Sequence, residues 1–82
     1  MFLSENAIQN ILESLDLRRK LGEILICSDD WIRRLANRND RNGDLTKYKV
    51  VQKIVEETKM DVADVLVDEK PVSASAHNVT NS

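Results

Sequence analysis

Between Arg18 and Asn37 the chain runs RRKLGEILICSDDWIRRLAN, and its apolar residues fall on two helical faces separated by a break short enough for only a tight turn. Leu21 and Leu25 lie four apart on the first face and Ile32 and Leu35 three apart on the second, with Cys27, Ser28 and Asp29 between them. Ser28 suits the N-cap of the second helix, and Asp29 and Asp30 follow it where carboxylates favour the helix dipole. Gly22 lies inside the first helix, where glycine is about 1 kcal/mol worse than alanine and so needs a packing reason. A close crossing of the two helices is the simplest one.

The flanking sequence completes a helical domain. Ser4 is expected to cap a first helix running to about Leu15, with Ala7, Ile8, Ile11, Leu12 and Leu15 on one apolar stripe. Asp16 is expected to cap the second helix, Leu17 to Leu25, and Ser28 the third, from Asp29 to Ala36 or Asn37. A polar loop, NRNDRNGD, covers residues 37–44. A fourth helix from Thr46 to Thr58 would bury Val50, Val51, Ile54 and Val55, and Asp61 would cap a short fifth helix through Val67. The expectation is an all-α fold, a compact bundle of four to five short helices over residues 1–70. Pro71 and the small polar residues after it form a flexible tail, 71–82.

Eighty-two residues support one domain, and the 41% hydrophobic fraction includes only Phe2, Trp31 and Tyr48 as aromatics, so the core is expected to be aliphatic. No run reaches the ~18 apolar residues of a membrane span, and the N-terminus lacks a basic-then-apolar leader. A cytoplasmic protein without a membrane partner is expected. One cysteine, Cys27, and one histidine, His77, offer neither a disulfide nor a zinc site, and the Asn78-Val79-Thr80 sequon is then incidental. The Asp40–Asp44 loop fails as an EF-hand, because with Gly43 at the sixth position the first ligand would be Arg38 and the twelfth Lys49. No glycine-rich phosphate loop or nucleophile-base pair is spaced for catalysis, and Cys27 is read as a buried turn residue. Neither an enzyme nor a metal or other cofactor is expected.

The formal net charge is −2, yet its distribution is uneven. From Leu17 to Lys53 ten Lys/Arg face five acids, while the remainder holds two Lys against nine acids. A basic middle between acidic ends gives the local positive field that phosphate attraction requires.

The segment from Arg18 to Leu66 resembles the lambda-repressor/Cro-type (XRE-like) helix-turn-helix family. Two blocks carry the similarity. In KLGEILICSDDWIRRLAN, Leu21, Gly22, Leu25, Cys27, Ser28, Ile32 and Leu35 match the family's core, small-residue and cap positions. In VVQKIVEETKMDVADVLVDE the chain is similar to the family's last two helices. The chain departs from the pattern at Ile26, where the family usually has glycine, and in a longer loop after the third helix. A β-branched residue suits a positive φ poorly, so the turn is expected to be reshaped with Ile26 turned into the core.

At 100° per residue, Ile32 and Leu35 set the buried direction of the third helix and leave Asp30, Arg33, Arg34 and Asn37 most nearly opposite. Arginine can hold guanine bidentately, asparagine adenine, and aspartate the cytosine amine. By resemblance, Ser28, Asp29, Asp30, Arg33, Arg34 and Asn37 are the base-contact candidates. Arg18 and Arg19, Arg38 and Arg41, and Lys47, Tyr48 and Lys49 are the phosphate-contact candidates. Trp31, on the flank, is read as packed, and Tyr48 suits the core equally well.

The resemblance implies a small repressor of the phage, plasmid or antitoxin sort, bound to double-stranded DNA as a homodimer. The competing expectation is a helical protein-interaction module, an adaptor or antirepressor, with Asp29–Arg33 and Asp30–Arg34 pairs on a solvated helix.

Overall fold

Three serines set the helical frame. Each accepts a hydrogen bond from the backbone N–H three residues on, Ser4 from Ala7 (3.2 Å), Ser14 from Leu17 (3.1 Å) and Ser28 from Trp31 (3.1 Å). They open helices α1 (Glu5–Glu13), α2 (Leu15–Leu25) and α3 (Asp29–Arg38). Ser14 replaces Asp16 as the cap expected for α2, which therefore starts two residues early. Leu15 thus belongs to α2 and is exposed, not part of the α1 stripe.

The computed structural model describes residues 1–71, and the tail reading, with His77 and the Asn78 sequon, lies outside them apart from Pro71. After α3 come a single 3-10 turn (Asp44–Thr46), α4 (Tyr48–Thr58) and a one-turn α5 (Val62–Val65). The all-α expectation holds for these five helices. Two differences concern the C-terminal part. Thr46 lies in the 3-10 turn rather than in α4, and Leu66–Val67 form a strand, β2, rather than the end of α5. The pairing partner is β1 (Phe2–Leu3), antiparallel, with Phe2 opposite Val67 and Leu3 opposite Leu66. Asp61 occupies the N-cap of α5 but makes no side-chain capping bond. Ser4 instead ties the C-terminal end of α5 to the start of α1, donating its hydroxyl to the Asp64 carbonyl while its own N–H meets the Val65 carbonyl at 2.7 Å.

The core is aliphatic and lies where all the elements meet. Leu3, Ile11, Leu21, Ile32, Val50, Ile54 and Val65 are its largest sealed side chains, with Leu45 brought in by the 3-10 turn. Across its edge Lys20 on α2 bridges Asp16 (3.0 Å) and Glu57 on α4 (2.8 Å). Among the described residues no helix is long and apolar enough to cross a membrane.

The α2–α3 turn corrects two expectations. Ile26 is not in the core: it is 90% exposed and holds the left-handed conformation, φ 58° and ψ 55°. The turn thus keeps the backbone that glycine would favour, with a β-branched residue in it. The N–H groups of Ile26 and Cys27 both reach the Gly22 carbonyl, the latter at 2.8 Å, which is the six-to-one bond of a Schellman ending. Gly22 is required by that ending rather than by a crossing of helices. A Cβ there would stand 2.4 Å from the Cys27 carbonyl oxygen.

Candidate nucleic-acid interface

Helix α3 is fixed to the core along one side only. Ile32, Leu35 and Ala36 are buried, and one turn on from Leu35 the stripe ends in Asn39, 5% exposed. The opposite side carries Asp30, Arg33, Arg34, Asn37 and Arg38, which project outward along about two turns. The six base-contact candidates therefore lie on one element, and all but Asp29 and Asp30, which are half-buried, are exposed. Ser28 spends its hydroxyl on the helix cap. Trp31 sits on the flank, half in solvent.

One of the two acid–base pairs the sequence suggested forms, Asp30 with Arg34, and the other, Asp29 with Arg33, does not. Asp29 approaches Arg18 of α2 at 3.9 Å instead of pairing with Arg33. Asp30 takes both arginines, with Oδ1 on Arg33 and Oδ2 3.3 Å from the Arg34 Nε. The Arg33 guanidinium, and secondarily that of Arg34, holds the Asp30 carboxyl below the usual carboxylate range.

The phosphate-contact candidates divide. Arg18 is committed to the fold: its side chain is 15% exposed, and its guanidinium donates to the carbonyls of Ile11 (3.0 Å) and Leu12 (2.7 Å) at the C-terminus of α1. Arg19 and Lys49 are exposed and pair with no carboxylate among the described residues. Arg38 meets Asp40 at 2.7 Å, Lys47 meets Asp44 at 3.8 Å, and Arg41 lies over the Phe2 ring at 5.5 Å. Tyr48 is not core. It is 77% exposed and borders an apolar groove of about 350 Å³ with Val51, Val55, Val62 and Leu66.

Cys27, half-buried in the turn, packs against the core. Burial first, and the charge of Asp44 second, push its thiol up from the ordinary value.

Sequence reasoning missed the residue that positions the loop after α3. The Asn39 side chain accepts from the Leu3 N–H at 2.9 Å and donates to the Leu3 carbonyl at 3.0 Å, so it extends the β1 backbone pairing onto α3. Asn42 adds a backbone bond to the Met1 carbonyl at 2.8 Å. A signal was available, since Asn39 continues the Ile32–Leu35 stripe by one further turn. With the loop docked in this way, Arg38 closes the helix that carries Arg33 and Arg34, and Arg41, three residues further on, lies against Phe2 of β1. No protein-family model, no curated protein and no solved structure matches the chain at a significant level.

Proposed function

We propose that this chain is a small sequence-specific DNA-binding regulator of repressor type, which reads the major groove with α3 as the second helix of a helix-turn-helix. One observation carries the reading: Arg33, Arg34 and Asn37 stand on the outward side of a helix anchored only by its opposite side. Their chemistry fits base edges, arginine to guanine O6 and N7 and asparagine to adenine N6 and N7. Arg19, on α2, which packs against α3, and Lys47 and Lys49, at the start of α4, would meet phosphates. One recognition helix covers few bases, so the reading includes a homodimer on half-sites ~34 Å apart.

The test is a salt series on random-sequence duplex DNA. Measurable binding that weakens as salt rises supports the reading, because phosphate neutralisation releases counterions. Absence of binding at low salt overturns it. A second reading, a protein-interaction module on the same scaffold, is favoured by the groove beside Tyr48 and Val62, both of which expose apolar surface. That reading requires no affinity for duplex.

A further inference from the structure

We propose that Asp30 is a built-in competitor for DNA phosphates, holding Arg33 and Arg34 on the free protein and yielding them to a base-paired site that offers both arginines better partners. The inference rests on the reading of α3 as the groove-facing helix. Its support is the geometry of one carboxylate. The two oxygens of Asp30 are used separately, Oδ1 by Arg33 and Oδ2 by Arg34, so both guanidiniums are engaged at the same time. All three side chains are about half exposed or more, and the cluster buries nothing that the core requires. Asp29, one residue earlier, turns to Arg18 and leaves the arginines alone.

A clamp of this kind discriminates between partners. An isolated phosphate offers each arginine the same charge-assisted contact that Asp30 already provides, so little is gained by the exchange. A guanine offers a bidentate pair with fixed geometry, which the carboxylate shared between two arginines does not. Exposed ion pairs are weak enough to be displaced, and the loss therefore falls mostly on non-specific binding. Asp30 is, on this account, a specificity-determining residue rather than a base contact.

The experiment compares wild type, Asp30→Asn, Arg33→Ala/Arg34→Ala and the triple variant on random-sequence duplex at ~0.1 M salt, with thermal melting of each. Asp30→Ser, run in parallel, guards against a helix end weakened by asparagine alone. The expected result is about three- to tenfold tighter binding for Asp30→Asn than for wild type, and no gain for the triple variant over the double. An equal gain in both backgrounds would show a charge acting at a distance and overturn the proposal, as would no gain at all. Wild-type binding without a gain sinks only the competitor. If none of the variants binds, the groove-reading helix falls and the competitor with it.

Discussion

Asn39 and Leu3, thirty-six positions apart, are joined by two hydrogen bonds between one side-chain amide and one backbone unit, in the least exposed polar position among the described residues. Asn39 is also left-handed, φ 46°, a conformation that asparagine tolerates better than most residues. Asn39→Ala leaves the Leu3 N–H and carbonyl unpaired where water has little access. The expected loss is about 2–4 kcal/mol, read as a melting temperature lower by roughly 10 °C or more. Asn39→Gly loses the same bonds without the backbone strain, and should melt above the alanine variant.

The helices and their faces were legible in the sequence because they depend on local signals. Ser4 and Ser28 precede apolar stripes of period 3.6, and both stripes are buried. Ser14 and Asp16 are both good caps two positions apart, and local chemistry does not choose between them. The β1–β2 pair was not legible, since two residues at each end of the domain carry no alternation to read. Asn39 lies in a run of polar residues, and although its spacing continues the Ile32–Leu35 stripe, its polar side chain hides that signal unless its tertiary partner, Leu3, is known. At the candidate site the outward face followed from geometry. The double use of Asp30 and the diversion of Arg18 did not, because rotamer choice among competing partners is settled by packing across elements.

Ile26 should be replaceable with profit to stability. A left-handed conformation is disfavoured by roughly 1–2 kcal/mol for a residue with a Cβ, and 90% exposure means that little burial is lost on truncation. Glycine adds unfolded-chain entropy that offsets part of the relief. Ile26→Gly is expected to gain about 0.5–1 kcal/mol, a rise of a few degrees in melting temperature. A large drop would mean that Ile26 is buried after all. Gly22→Ala should do the opposite, losing roughly 1–3 kcal/mol because its methyl would displace the Cys27 carbonyl.

Cys27 gives a pH dependence whose sign follows from its surroundings. A thiol pushed up in the folded state binds its proton more tightly than in the unfolded chain, so its contribution is present below the unfolded pKa of about 8.5 and is lost as pH rises through that value toward the folded one. The melting temperature of wild type should therefore fall more between pH 8 and pH 10 than that of Cys27→Ala, a range set by that reference value. Parallel curves for the two proteins would remove the thiol as the cause.

Arg18 and Lys49 separate structure from binding. Arg18 closes the C-terminus of α1 with two charge-assisted hydrogen bonds, so Arg18→Ala should lower stability by about 2 kcal/mol and leave the salt slope of duplex binding unchanged. Lys49 is exposed at the start of α4, so Lys49→Ala should leave melting unchanged and reduce the slope of log affinity against log salt by about 0.9. Arg33→Ala and Arg34→Ala belong to a third class: on a selected site each should cost about 1–3 kcal/mol and relax base preference, while stability stays near wild type. Melting, salt slope and site selection thus assign each residue by a different readout. If Arg18→Ala lowered the slope with unchanged melting, its guanidinium would be reaching phosphate instead of α1. If the two α3 variants selected the same sites as wild type, with the same affinity, the outward face of α3 would not be the face that reads DNA.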